Sequence, residues 1–164
     1  MREEIVLYEA DPTSKDGREL IAELDDYLLT IYPESVCYRT PPEDIKKDGV
    51  FYIAKLDNEA VGCGGLKEND TGGIELKRMF VRPGFRGKGI ASKLLNRLEH
   101  LSIEQGYKSI FLETGPPQIE AVRLYLKSGY FKRGPFGGYK DHPLSIFMEK
   151  RFDNEPYQSN GSAS

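Results

Sequence analysis

Val81-Arg82-Pro83-Gly84-Phe85-Arg86-Gly87-Lys88-Gly89-Ile90-Ala91 joins an apolar run beginning at Ile74 to a segment that carries Ile90, Leu94, Leu95, Leu98 and Leu101 at helical spacing. The stretch therefore reads as a glycine-rich turn leaving a strand and opening an amphipathic helix. Glycines let a backbone approach a ligand closely. A helix start presents unpaired N–H donors at the positive end of a dipole, a setting that suits phosphate. Arg82, Arg86 and Lys88 add cations on either side, as ligands for phosphate or simply as solvated charges.

The chain has 164 residues, 38% of them hydrophobic and 30% charged, with a net charge of −3. Such a length accommodates one domain with its own core. We expect that domain to span 1–152, followed by a disordered polar tail, 153–164. The acidic balance argues against nucleic acid as partner and leaves the local basic turn to bind a small polyanion. Cys37 and Cys63 lack disulfide-framework or metal spacing, so they read as reduced thiols and no metal is expected. With no membrane-length apolar run and no signal-peptide profile, a cytoplasmic protein without membrane attachment is expected.

Upstream, Ile5–Tyr8 predicts a strand and Lys15–Ile31 a helix with Leu20, Ile21, Leu24, Leu28 and Ile31 on one face. Tyr32–Pro42 reads as a loop and Glu43–Lys47 as a short helix. Val50–Leu56 and Ala60–Leu66 flank a turn at Asp57-Asn58-Glu59, and Ile74 begins a third strand in series; short turns make these three antiparallel. Downstream come a strand at Ser109–Leu112, a helix around Ile119–Leu126 stopped by Gly129, and strands at Tyr130–Lys132 and Leu144–Met148. The order describes an α+β domain with a mixed sheet.

Ile74-Glu75-Leu76-Lys77-Arg78-Met79-Phe80-Val81 changes phase. Ile74 and Leu76 share one face, whereas Met79 and Val81 are apolar in the opposite phase. A β-bulge produces such a flip; a strand buried on both faces is the alternative. A bulge would leave backbone groups unpaired beside the glycine turn.

Lys88 is followed by Gly89, so the nucleotide-triphosphate loop pattern fails. A dinucleotide fingerprint is closer but has Ser92 where its third glycine belongs, and antiparallel strands precede it. Instead, Val81-x-Pro83-x-x-Arg86-Gly87-Lys88-Gly89-Ile90-Ala91 resembles the coenzyme-binding signature of the GNAT superfamily of N-acetyltransferases. Ala121-x-x-Leu124-Tyr125-x-x-x-Gly129-Tyr130 resembles a second signature of that family, and the likeness extends over roughly Ile5–Phe152. The resemblance implies a GNAT-like fold: a mostly antiparallel sheet of about seven strands, splayed between the fourth and fifth, flanked by about four helices.

It further implies an acetyl-CoA-dependent enzyme that moves the acetyl group to an amine of a small molecule or peptide. Residues matching the family's coenzyme contacts are the backbones of Met79 and Val81 for the pantetheine arm, and Arg86, Gly87, Lys88, Gly89, Ile90 and Ala91 for the pyrophosphate. Gln118 replaces the usual asparagine before the second signature. Tyr125 matches the tyrosine that protonates the leaving thiolate, and Glu75 a catalytic glutamate, with Glu113 as second candidate base and water as a third route. A backbone N–H near Met79 is the candidate oxyanion donor.

By the same resemblance, Tyr32, Tyr38, Arg39 and Tyr139 form the acceptor side, where aromatics plus Arg39 and Asp141 suit a small polar amine or amino acid. His142 and His100 read as structural. The Pro-Leu-Ser-x-Phe-Met-Glu-Lys ending is similar to a bacterial branch in which some members carry an indole-acetate acetyltransferase label, although indole-acetate offers no amine. Monomer and homodimer both remain open. Two rivals predict different behaviour: an acetyl-CoA sensor would bind without turnover, and a nicotinamide enzyme would bind NAD instead.

Overall fold

A computed structural model describes residues 4–36 and 40–153, with the side chain of Val36 outside that set. Cys37, Tyr38, Arg39 and nearly all of the expected tail therefore lie outside the described residues. Seven strands and four α-helices follow one another as β1 (Ile5–Glu9), α1 (Lys15–Ile31), α2 (Pro42–Asp48), β2 (Gly49–Leu56), β3 (Glu59–Glu68), β4 (Ile74–Val81), α3 (Ile90–Glu104), β5 (Ser109–Thr114), α4 (Ile119–Lys127), β6 (Phe131–Arg133) and β7 (Ile146–Arg151). The expected loop after α1 contains a 3-10 turn at Glu34–Val36, and a second such turn, Pro83–Phe85, precedes α3.

The strands form one sheet ordered β1-β2-β3-β4-β5-β7-β6. Every neighbouring pair is antiparallel except β4 and β5, which run parallel. The expected α+β architecture and mixed sheet are thus present. The final strand begins two residues later than predicted, because the Ser145 N–H closes a turn onto the His142 carbonyl at 3.0 Å before the ladder starts.

Local chemistry explains the elements flanking the site. The Ser14 hydroxyl caps α1 by accepting from the Gly17 N–H at 3.2 Å, and Asp16 lies in its first turn. Its buried stripe is Leu20, Ile21 and Leu24, each worth roughly 1.5–3 kcal/mol of burial. Asp57 and Asn58 both take positive φ, 48° and 71°, as a two-residue hairpin turn between β2 and β3 requires.

Two cores result, one on each side of the sheet. Leu94, Leu95 and Leu98 of α3 pack with Leu76, Ile110 and Leu112 on one side. Leu20, Ile21 and Leu24 of α1 pack with Ile45, Ile53 and Phe80 on the other.

The phase change in β4 is a bulge. Opposite β3, Cys63 pairs with Phe80 but Gly65 pairs with Lys77, so Arg78 and Met79 together face Gly64. Arg78 takes φ +60°, an uncommon left-handed conformation for a non-glycine residue. A Cβ on Gly64 would press on the Met79 sulfur, so glycine opposite the bulge leaves that side chain its place. The buried Cys63 thiol donates to the Arg78 carbonyl at 3.3 Å, and burial pushes that thiol up to about 12.

Candidate active site

Strands β4 and β5 are paired only at Ile74↔Ile110 and Glu75↔Phe111. Beyond Glu75 they part, and two adjoining cavities open along the cleft. The larger, about 310 Å³, is lined by Met79, Phe80 and Val81 of β4, by the turn from Phe85 to Ser92, and by Ala121 and Leu124 of α4. The smaller, about 90 Å³, is walled by Glu75, Lys77, Arg78, Glu113, Thr114 and Tyr139 among others. Leu24, Met79, Gln118 and Tyr125 line both, so they form the junction.

The larger cavity ends at the start of α3. Gly87 and Gly89 have φ +80° and +82°, and the space where their Cβ atoms would lie is empty to 4 Å. Conformation, not crowding, therefore requires glycine at both positions. Gly89 is the N-cap and offers no side chain to the first-turn amides, which leaves them to an incoming anion.

The cations behave differently from the sequence reading. Arg82 is committed to the fold: its guanidinium donates to both Glu23 carboxylate oxygens on α1, the shortest contact being 2.7 Å, and to the Ala60 carbonyl at 2.7 Å. It locks α1 to the sheet and is not positioned as a phosphate ligand. Arg86 Nε donates to the Val81 carbonyl at 2.9 Å, its Nη1 lies 3.9 Å from Glu120, and its guanidinium stacks on Tyr27 at 5.5 Å. The backbone of Val81, expected to pair with a ligand, thus has its carbonyl engaged by Arg86.

Tyr125 sits at the junction and is buried, tilted against Tyr130 at a centroid distance of 5.6 Å. Its hydroxyl has no hydrogen-bond partner among the described residues, and burial raises its pKa above the usual phenol value. It therefore keeps its proton throughout the physiological range. Gln118, the N-cap residue of α4, donates from Nε2 to the Tyr32 hydroxyl at 3.0 Å. Tyr32 lies outside both cavity walls and holds Gln118 in place, so it reaches the acceptor side at one remove.

The smaller cavity contains both candidate bases. Glu75 is buried rather than an exposed strand carboxylate. Its Oε1 accepts from the Tyr139 hydroxyl and lies 2.9 Å from Lys77 Nζ, which also donates to Tyr139 Oη at 2.6 Å. Glu113 is different. Burial pushes its carboxyl up to about 7, with the Ser145 hydrogen bond and Lys77 pulling it down and Glu75 adding to the rise. At neutral pH it is poised to take or release a proton.

The side-chain directions follow from the bulge. Without it, Lys77 and Arg78 would point to opposite faces. With it, Lys77 meets Tyr139 and Arg78 meets Asp25 of α1 at 2.6 Å and the Thr40 carbonyl at 3.0 Å, so both line the smaller cavity.

Sequence reasoning missed Arg78, because an arginine inside an apolar strand signals nothing until the bulge turns it. It also missed Thr114, whose fully enclosed Oγ1 has no hydrogen-bond partner among the described residues. His142 is structural as expected: its Nδ1 accepts from the Leu144 N–H at 3.0 Å, and its own N–H donates to Asp141. Asp141 lines neither cavity, contrary to its expected place on the acceptor side.

A sheet that splays next to an uncapped helix start, with a buried tyrosine at the fork, matches known proteins. Residues 17–130 fit the sequence profile described as the Acetyltransferase (GNAT) family. The chain belongs to that family. It is 41% identical over 134 residues to an IAA acetyltransferase of Azospirillum brasilense, covering 80% of this chain and 88% of that one. A Klebsiella pneumoniae protein of the acyl-CoA N-acyltransferase type superposes with a TM-score of 0.76 at 32% identity, over 90% of this chain and 97% of the other. A Bacillus anthracis protein of the streptothricin acetyltransferase type, solved with acetyl coenzyme A, gives 0.60 at 26% identity, over 71% and 70%.

This GNAT chain is therefore an acyl-CoA-dependent N-acetyltransferase. No helix among the described residues is long and apolar enough to cross a membrane, and no His, Cys, Asp and Glu group there could hold a metal.

Proposed function

We propose that this GNAT protein acetylates the amine of a small molecule by direct attack on acetyl-CoA. The nearby protonatable pair carries this reading: Tyr125, kept neutral by burial, and Glu113, pushed up to about 7, line one cavity at the fork of the sheet. The amine nitrogen bonds to the thioester carbonyl carbon, and collapse of that adduct breaks the C–S bond. Glu113 accepts the proton the amine loses, and Tyr125 gives its proton to the departing thiolate. A main-chain N–H at the Met79 bulge stabilises the oxyanion.

Glu113 is a better base than Glu75, the first candidate from the sequence. The Glu75 carboxylate already accepts from Tyr139 and pairs with Lys77, whereas burial raises Glu113 to about 7. Glu75 instead holds Lys77 and Tyr139 in position. The backbone of Met79 and Val81 lines the pantetheine path, with Arg86 swinging off the Val81 carbonyl as the coenzyme enters. Gly87, Lys88, Gly89, Ile90 and Ala91 receive the pyrophosphate, Gln118 faces the arm, and Tyr139 and Arg39 serve the acceptor side.

A cavity of about 90 Å³ favours a small acceptor over a folded peptide. The IAA acetyltransferase name of the Azospirillum relative gives this chain no amine to act on, so we assign it no weight for the acceptor. The test is release of coenzyme thiol from acetyl-CoA across a panel of amines. Thiol release with at least one amine supports enzymatic N-acetylation; tight acetyl-CoA binding without release across the panel would indicate a sensor instead.

A further inference from the structure

The smaller cavity has a charge pattern that amine acetylation alone does not use. We propose that its acceptor carries a carboxylate next to the amine, and that Lys77 and Arg78 receive that carboxylate. The proposal rests on the acetyl-transfer reading above and names the class of acceptor: a free amino acid or a similarly small amino-carboxylate.

Two carboxyl and two cationic side chains face this space: Glu75, Glu113, Lys77 and Arg78. The bulge places the two cations on the same face at consecutive positions, an arrangement that regular strand alternation forbids. The αL conformation of Arg78 costs about 1–2 kcal/mol in a non-glycine residue, and the fold retains it.

Arg78 is buried, yet only part of its fork is used. Nε and Nη1 are held by Thr40 and Asp25, and Nη2 has no partner among the described residues. Asp25 does not line the cavity, so it neutralises Arg78 from behind the wall. Lys77 is only 17% exposed and shares its charge with Glu75.

The acid opposite these cations is not fully ionised. Lys77 is balanced by Glu75 and Arg78 by Asp25, and Glu113, raised by burial to about 7, shares its proton at neutral pH. A zwitterion fits both ends: its ammonium lies against Glu113, where it is deprotonated, and its carboxylate lies against Lys77 and the open Nη2 of Arg78. Arginine's planar fork favours carboxylate as the partner for its remaining nitrogen. The Tyr139 hydroxyl, which accepts from Lys77, fixes the lysine from the far side.

The test pairs each of several α-amino acids with its α-carboxamide and with the amine lacking the carboxyl group. Thiol release from acetyl-CoA gives kcat/KM for every member. We expect each acid to exceed its own amide by tenfold or more, mainly through KM, with the gap shrinking as salt is raised. In Lys77→Gln, which keeps a donor for Glu75 and Tyr139, the acid-to-amide ratio should collapse towards one. Arg78→Gln made together with Asp25→Asn removes the second charge without stranding its partner and should act in the same direction.

Equal turnover of acids, amides and simple amines would overturn the carboxylate assignment while leaving amine acetylation standing. Thiol release with none of them, despite acetyl-CoA binding, would overturn both. An acid-to-amide ratio that survives in both charge variants would show that discrimination arises elsewhere, and would overturn the role of Lys77 and Arg78.

Discussion

The two ends of the cleft are built from different materials. The coenzyme end is main chain: an uncapped helix start, two glycines at φ near +80°, and the unpaired edge of β4 beyond Glu75. The acceptor end is side chain: a glutamate from β5, a lysine and an arginine from the bulge, and a tyrosine from the loop before β7. A main-chain site tolerates almost any side chain but demands particular φ values. A side-chain site tolerates ordinary backbone but depends on which residues three separate segments bring together. Under the proposed function, one end would receive a fixed donor and the other would set acceptor choice.

The largest expected effect probes the side-chain end. Glu113→Gln should lower turnover by about 10²–10⁴-fold and abolish the rise in rate through pH 7, measured at saturating acetyl-CoA. An unchanged pH profile would remove Glu113 from the proton path. The same group couples to stability. Its folded pKa, about 7, lies above the ordinary 4.5, so the folded state binds the proton more tightly. Its contribution is full below pH 4.5 and is lost as pH rises through about 7, a change of roughly 3 kcal/mol. Denaturant titrations should therefore show Glu113→Gln gaining on the parent protein between pH 5 and 8.

Tyr125→Phe comes next, at the junction of the two ends. Turnover should fall about 10²-fold while acetyl-CoA affinity, read by calorimetry, holds within twofold. Equal turnover in the two proteins would leave Tyr125 as packing against Tyr130.

Gly89→Ala separates the main-chain end from the other. An alanine forced to φ +82° costs about 1–2 kcal/mol, so coenzyme affinity should drop about tenfold with acceptor KM preserved. A rise confined to acceptor KM would break the division of labour between the ends.

Thr114→Val gives the smallest effect. Its buried hydroxyl has no partner among the described residues, so removing it should stabilise the fold by up to about 1 kcal/mol in urea titrations. A clear destabilisation would reveal a partner for that oxygen.

Much of this molecule could be read before any coordinates. Lys15–Ile31 matches α1 residue for residue, since a Ser14 cap and a 3.6-residue stripe are local signals. Gly87-Lys88-Gly89 marks the turn into α3 for the same reason: a local conformational demand leaves a local residue choice. The phase change from Leu76 to Met79 announced the bulge but left it level with a doubly buried strand, and the pairing of Cys63 and Gly65 resolved it.

Arg82 shows the opposite limit. In sequence it is one of three cations around a phosphate turn. In space it belongs to Glu23, 59 positions earlier, because α1 packs across the sheet there. Charge along a chain gives no information on which opposite charge will lie nearby.

The sequence alone determined the fold class, the family and the main-chain half of the site, because each depends on spacing within a short stretch. Tertiary structure alone decided the other half: that Glu75 is bound up with Lys77 and Tyr139, that burial raises Glu113 to about 7, and that Arg78 lines the smaller cavity. Burial and partnership set the charge of an acid or the direction of an arginine, and both come from residues far away along the chain.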